Sequence, residues 1–179
     1  MAHPERQTFK LHPLPAARAL FSPVRIDREL VAEFFMRFAR AEFALKRAKF
    51  VRPGKFGEPK IKWDDFATVC GSRLFDSTDP SITAAIAYLV EHPPKQEIVA
   101  FPYWRSRPID NPKDPVFLIK SICTVRNNLF HGGKEIEGLL AERDRQLILS
   151  ALQVLCFAVS LQEEVSEAFG ELPPEHFDV

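Results

Sequence analysis

Arg126, Asn127 and His131 are the residues of this 179-residue chain whose types and spacing suit a reaction. A histidine can move protons near neutral pH, because its imidazole titrates there. An arginine stays charged and can hold a phosphate through two donors while negative charge builds up on it. Asn127 can orient the phosphate or the imidazole. The same residues also have a structural reading, with His131 bonding the last carbonyls of a helix and Arg126 pairing with Glu42. Elsewhere there is no His-x-x-x-His, Cys-x-x-Cys or clustered-carboxylate pattern, so a metal hydrolase is not expected. No Ser/His/Asp arrangement can be argued, and neither a metal nor a cofactor is expected.

A helix must position the three. Asp114-Pro115 is a good start, with Asp as N-cap and Pro at the first helical position. The helix is expected to run from Pro115 to His131, with Gly132 taking the left-handed cap. Leu118, Ile122, Val125 and Leu129 are spaced 4, 3, 4 and form a core-facing stripe. Lys120, Thr124, Asn127 and His131 share that spacing and form a polar stripe beside it. Arg126 lies between the stripes. At the helix C-terminus, His131 feels the negative end of the macrodipole, which favours its protonated form.

The string from Val125 to Lys134, at a helix terminus and ahead of another long helix, resembles the HEPN superfamily of small helical-bundle proteins. Their hallmark is an Arg-x4-6-His motif, often with a polar residue directly after the Arg; Arg126, Asn127 and His131 match all three positions. The helical parts of the chain, residues 27–169, fit the family's layout, whereas the tails and the proline-rich loop fall outside it. The resemblance implies a metal-independent endoribonuclease without a cofactor, in which two motifs meet in one composite cleft of a homodimer. RNA would be the substrate and its own 2′-hydroxyl the nucleophile. A toxin or antiviral-defence effector is the implied role, with an antitoxin or a nucleotidyltransferase as candidate partner. Some HEPN domains are inactive, so a non-catalytic protein- or nucleotide-binding module is the alternative.

Net charge is zero but unevenly placed. Residues 1–75 carry 15 Lys/Arg against 8 Asp/Glu, and the remainder carries 9 against 16. From Arg37 to Lys62 there are nine basic residues against Glu42 and Glu58. Such a stretch reads either as a phosphate-binding patch or as a solvated face. Arg47 and Lys49 are its substrate-binding candidates; Glu42, Lys46, Lys120 and Thr124 are the auxiliary residues nearest the motif. Cys70, Cys123 and Cys156 are odd in number and far apart, forming neither a disulfide framework nor a metal pair, which fits a reduced cytoplasm. No signal peptide is expected, since His3, Glu5, Arg6 and Lys10 interrupt any apolar run. The longest uncharged segment, Gln146 to Gln162, is short of the roughly 20 residues of a membrane span, so no membrane association is expected.

The whole reads as an all-α protein, an up-and-down bundle of four to five main helices with a proline-rich loop. Residues 1–25 read as an extended arm, 26–170 as a single helical domain and 171–179 as a short tail. The first helix is expected from Asp27 to Lys49, with Phe34, Phe38, Ala41, Leu45 and Ala48 facing the core. A neighbouring stripe of Val31, Phe35, Phe38, Glu42 and Leu45 places a carboxylate on a mostly apolar face, where it needs a cation. Lys46, one turn on, is the commoner kind of partner; Arg126 is the other candidate. Residues 52–62 are expected as a loop, Trp63 to Phe75 as a second helix, and Asp79-Pro80 as the start of a third. The six prolines of residues 93–115 argue against regular structure there. Phe101, Tyr103, Trp104, Arg105 and Arg107 in that loop either stack on bases or pin the loop to the domain. The last helix is expected from Leu140 to Phe169, with an apolar face wide enough for two neighbours or a second subunit.

Overall fold

The structure, a computed structural model, describes residues 27–99, 104–106, 109–131 and 138–170. The expected arm and tail, Gly132, and Phe101, Tyr103 and Arg107 lie outside the described residues. In chain order the elements are helix α1 (Arg28–Arg47), strands β1 (Val51–Pro53) and β2 (Pro59–Ile61), and helix α2 (Trp63–Cys70), followed by a 3-10 turn (Gly71–Phe75). Then come α3 (Pro80–Glu91), β3 (Gln96–Glu97), β4 (Trp104–Arg105), α4 (Pro115–His131), α5 (Gly138–Ser160) and α6 (Glu163–Gly170). This is an all-α helical bundle carrying two short antiparallel strand pairs.

The helix starts follow their capping chemistry. Asp27 accepts from the Glu29 and Leu30 N–H groups, both at 3.1 Å, at the start of α1. Asp79 accepts from Ser81 N–H at 2.8 Å, and Asp114 from Val116 N–H at 2.9 Å. Each satisfies a donor that a helix start leaves open, while Pro80 and Pro115 stand where no N–H is needed.

Helix α5 is the centre of the core, packing against α1, α3, α4 and α6. Its Leu147, Ala151, Val154, Leu155 and Ala158 are buried, as are Phe34, Phe38, Ala41 and Leu45 of α1 and Leu118, Ile122 and Val125 of α4. Both expected stripes therefore face inward. Each such Leu, Ile or Phe contributes on the order of 1.5–3 kcal/mol by leaving water. The wide face of α5 is covered by neighbours within the same chain.

Four expectations need correction. Residues 52–62 are not a plain loop: β1 and β2 pair with Val51 opposite Ile61, Arg52 opposite Lys60 and Pro53 opposite Pro59. The proline-rich segment holds a second pair, with Gln96 opposite Arg105 and Glu97 opposite Trp104. Strands of two or three residues are too short to show alternation, and prolines fit at strand ends. The helix starting at Trp63 tightens to 3-10 geometry after Cys70, at Gly71 with φ 56°. The last helix is also broken: the chain turns by 114° between α5 and α6. Leu161 N–H bonds Ala158 O at 3.2 Å and Gln162 N–H bonds Val159 O at 3.3 Å, which closes α5. Glu163 and Glu164 then occupy the first turn of α6, where its dipole favours carboxylates. Arg40 of α1 caps the far end of α6, donating to Phe169 O at 2.8 Å and Ala168 O at 3.0 Å. No single helix among the described residues is long and apolar enough to cross a membrane.

Candidate functional site

Helices α1 and α4 bring the motif arginine onto an aromatic floor. Phe38 is 3 % exposed, and its ring lies 5.2 Å from that of Trp63. The Arg126 guanidinium carbon sits 5.3 Å from the Phe38 ring centroid, close enough for a cation–π contact. Its Nη2 is 4.0 Å from Glu42 Oε1, and Nη1 donates to Asn127 Oδ1 at 3.1 Å. The side chains of Arg126 and Glu42 are 34 % and 28 % exposed, so the pair sits at the rim of the core. The half-buried carboxylate thus takes its cation from α4. Lys46 is exposed in the last turn of α1 and makes no ion pair with it, contrary to the commoner expectation. An i,i+4 pair on an open helix face gains little, whereas Arg126 meets Glu42 where water is partly excluded.

His131 closes α4, one turn beyond Asn127; its side chain lies outside the described residues. From Arg126 to position 131 the helix rises about 7.5 Å and turns by about 140°, whereas Asn127 and position 131 share a face. By accepting from Arg126, the Asn127 amide links the two sides of the helix.

The remaining candidates are spread out. Lys120 lies two turns upstream and pairs with Asp64 of α2 at 2.8 Å. Thr124 donates its hydroxyl to Lys120 O at 2.8 Å, bonding its own helix. An open groove of about 540 Å³ runs beside Thr124 and Asn127, with Gln96, Glu97 and Val99 as its other wall. Arg47 and Lys49 are exposed at the end of α1, beside the β1–β2 hairpin. Cys123, between Lys120 and Arg126, has its thiol pushed up to about 12 by burial, with Glu42 adding to the shift and Arg126 opposing it. All three cysteines are free. Among the described residues no group of three or more His, Cys, Asp or Glu is placed to hold a metal ion.

Three residues that position the site escaped the sequence reading. Phe38 was legible as core but not as the floor beneath Arg126. Asp64, by its type and place in the chain, signals only a helix start, and nothing local connects it to Lys120. Asn128 is 8 % exposed and donates to Lys95 O at 2.8 Å, tying α4 to the proline-rich segment. Its signal was present: Leu118, Ser121, Val125 and Asn128 follow a 3, 4, 3 spacing, which puts two polar residues on a core stripe. Arg143 adds a second tie, donating to Pro93 O at 3.0 Å.

No protein-family model matches the chain, and neither a curated protein sequence nor a solved structure matches it.

Proposed function

We propose that this chain is a metal-independent endoribonuclease of the HEPN type, acting as a homodimer on single-stranded RNA as a toxin or antiviral-defence effector. The observation that carries this reading is the Arg126 guanidinium, held half-exposed over Phe38 by Glu42 and Asn127, on the helix that His131 ends. In the proposed reaction His131 takes the proton of the RNA 2′-hydroxyl, whose oxygen attacks the adjacent phosphorus. The bond to the 5′-oxygen breaks, and that oxygen takes up a proton from the His131 imidazolium, which returns to its neutral form. The products are a 2′,3′-cyclic phosphate and a 5′-hydroxyl. Arg126 neutralises charge on the phosphate as the new bond forms. Because one helix separates its two motif residues by about 140°, a second copy is the natural source of the complementary pair. An antitoxin or nucleotidyltransferase partner belongs to the same proposal.

The test is cleavage of single-stranded RNA in the presence of EDTA. His131→Ala and Arg126→Ala are each expected to lower the rate by about a hundredfold or more, and the parent's products to end in cyclic phosphate. A folded His131→Ala protein that cuts as fast as the parent overturns the assignment. The second reading is a non-catalytic binding module. It is favoured by the contacts of Arg126 to Glu42 and Phe38, which also suit an arginine that serves only the fold. EDTA-resistant cleavage that is lost in both variants decides against it.

A further inference from the structure

The β1–β2 hairpin places like charges where a two-stranded ribbon can least tolerate them. Arg52 and Lys60 stand directly opposite each other across the strands, and both are exposed. Like charges at such positions destabilise a pair, and an isolated two-stranded ribbon is marginal to begin with. Around them Lys46, Arg47, Lys49 and Lys55 are exposed as well. Among the described residues these four and Arg52 make no ion pair within 4.0 Å, whereas Lys60 pairs with Glu58 at 3.6 Å and Lys62 with Asp65. The hairpin's one acid is turned to internal use. Glu58 accepts from Phe56 N–H at 2.8 Å, and that bond holds its carboxyl below the usual range.

At the tip stands Phe56, 88 % exposed, with Lys55 Nζ 5.5 Å from its ring centroid. The base of the hairpin is fixed by contrast. Phe50 packs edge-on to Phe66 at 5.6 Å, and its carbonyl accepts from Lys62 N–H at 2.9 Å. A groove of about 350 Å³ leads off this base, lined by Arg52, Trp63, Cys123 and two ion pairs, Lys62 with Asp65 and Lys120 with Asp64. Cys123 is three residues before Arg126 on α4, so the groove ends one turn from the motif arginine.

We propose that the β1–β2 hairpin is a grip for single-stranded RNA, with Phe56 stacking on a base and Arg52, Lys55 and Lys60 neutralising phosphates. The groove then leads the strand to Arg126. The proposal rests on the ribonuclease reading for its choice of RNA. An exposed aromatic ring set among cations is the combination that holds single strands, because every base offers a face to stack on. A membrane surface, the other anionic partner, calls for a broad apolar face, and here one ring stands alone.

The experiment measures binding in the full chain carrying His131→Ala, so that no cleavage intervenes. The probe is a fluorescent oligouridine of about 12 nucleotides, titrated at several salt concentrations. Adding Phe56→Ala is expected to weaken binding about tenfold, and Phe56→Trp to retain it with tryptophan quenching on RNA addition. Arg52→Ser with Lys55→Ser is expected to reduce the slope of log affinity against log salt by about 1.4. The side chains of Arg52, Lys55 and Phe56 are exposed, and circular dichroism checks that the variants fold. Unchanged affinity and slope in the hairpin variants overturn the grip. So does a loss confined to phosphatidylserine vesicles with RNA binding intact. If hairpin-dependent binding is present but the parent never cleaves, the grip stands and the ribonuclease reading fails. If the parent cleaves and the hairpin variants bind normally, the reverse holds.

Discussion

Removing the Arg126 side chain is expected to cost stability as well as activity, and the two can be separated through Glu42. Arg126→Ala leaves a half-buried carboxylate without its cation and strips the contact from the Phe38 ring. Two unit charges 4.0 Å apart attract by about 4 kcal/mol at an effective dielectric of 20, before desolvation and side-chain ordering are subtracted. With about a third of each side chain in water, screening takes most of that, and a net coupling of about 0.5–1.5 kcal/mol remains. The cation–π contact adds about 0.5–1 kcal/mol. Arg126→Ala alone should therefore cost about 1–2.5 kcal/mol. Glu42→Gln should cost less, because an amide at the rim needs no counter-ion. The double variant should then be more stable than the sum of the two losses predicts, by the coupling energy. Urea unfolding of all four proteins at low and high salt measures this cycle. Two losses that add to within about 0.3 kcal/mol would show that Arg126 does not lean on Glu42, and the account of how it is positioned would fall. Cleavage gives an independent readout: in the Arg126→Ala background Glu42→Gln should cost little further stability and restore none of the activity.

Other expectations follow from single contacts. Lys49 has φ 63° at the end of α1, where Phe50 N–H bonds Leu45 O at 2.9 Å and Lys49 N–H bonds Lys46 O at 3.2 Å. That is the helix ending in which glycine is favoured. Lys49→Gly should therefore raise stability by about 0.5–1 kcal/mol, a melting-temperature gain of about 1–4 °C; a lower melting temperature would contradict it. Asn128→Ala leaves Lys95 O without its donor and should cost about 1–3 kcal/mol, with faster proteolysis within residues 95–106. Unchanged proteolysis would show that the segment is held some other way. Burial raises Cys70 to about 11 and Cys123 to about 12 from an ordinary 9.0. The unfolded chain thus loses these protons first as pH rises. Stability from both thiols is complete below pH 9 and declines as pH climbs from there through 11 and 12. A melting temperature that is flat across that window in the parent, compared with Cys123→Ala, would be the contrary result.

Much of the bundle could be read from residue spacing, because a helix that buries one side repeats its apolar residues every 3.6 positions. Phe34, Phe38, Ala41 and Leu45, like Leu118, Ile122 and Val125, lie where that period puts them. The departures have local causes. Three paired residues are too few to show a period of two, so the strand holding Arg52 passed for loop. Between α5 and α6 no Pro or Gly marks the 114° turn, and the 4, 3, 4, 3, 4 spacing of Leu147, Ala151, Val154, Ala158, Leu161 and Val165 carries across it. Asn127 beside Arg126 is legible because neighbours in sequence stay neighbours in a helix. The Glu42 partner was not, because the choice between Lys46 and Arg126 depends on how α1 crosses α4.

Arg40 and the carbonyls of Ala168 and Phe169 lie 128 and 129 residues apart in the chain, yet they are hydrogen-bonded. Val165 and Ala168 of α6 are buried in the same seam. On the ribosome, α1 is among the first of these helices to emerge and α6 is the last. At about 5–20 residues per second, α1 waits roughly 6–26 s for the segment that covers its flank. Folding of the bundle therefore cannot be completed piecemeal during translation, and the interval in which the apolar side of α1 stands open is set by the speed of synthesis.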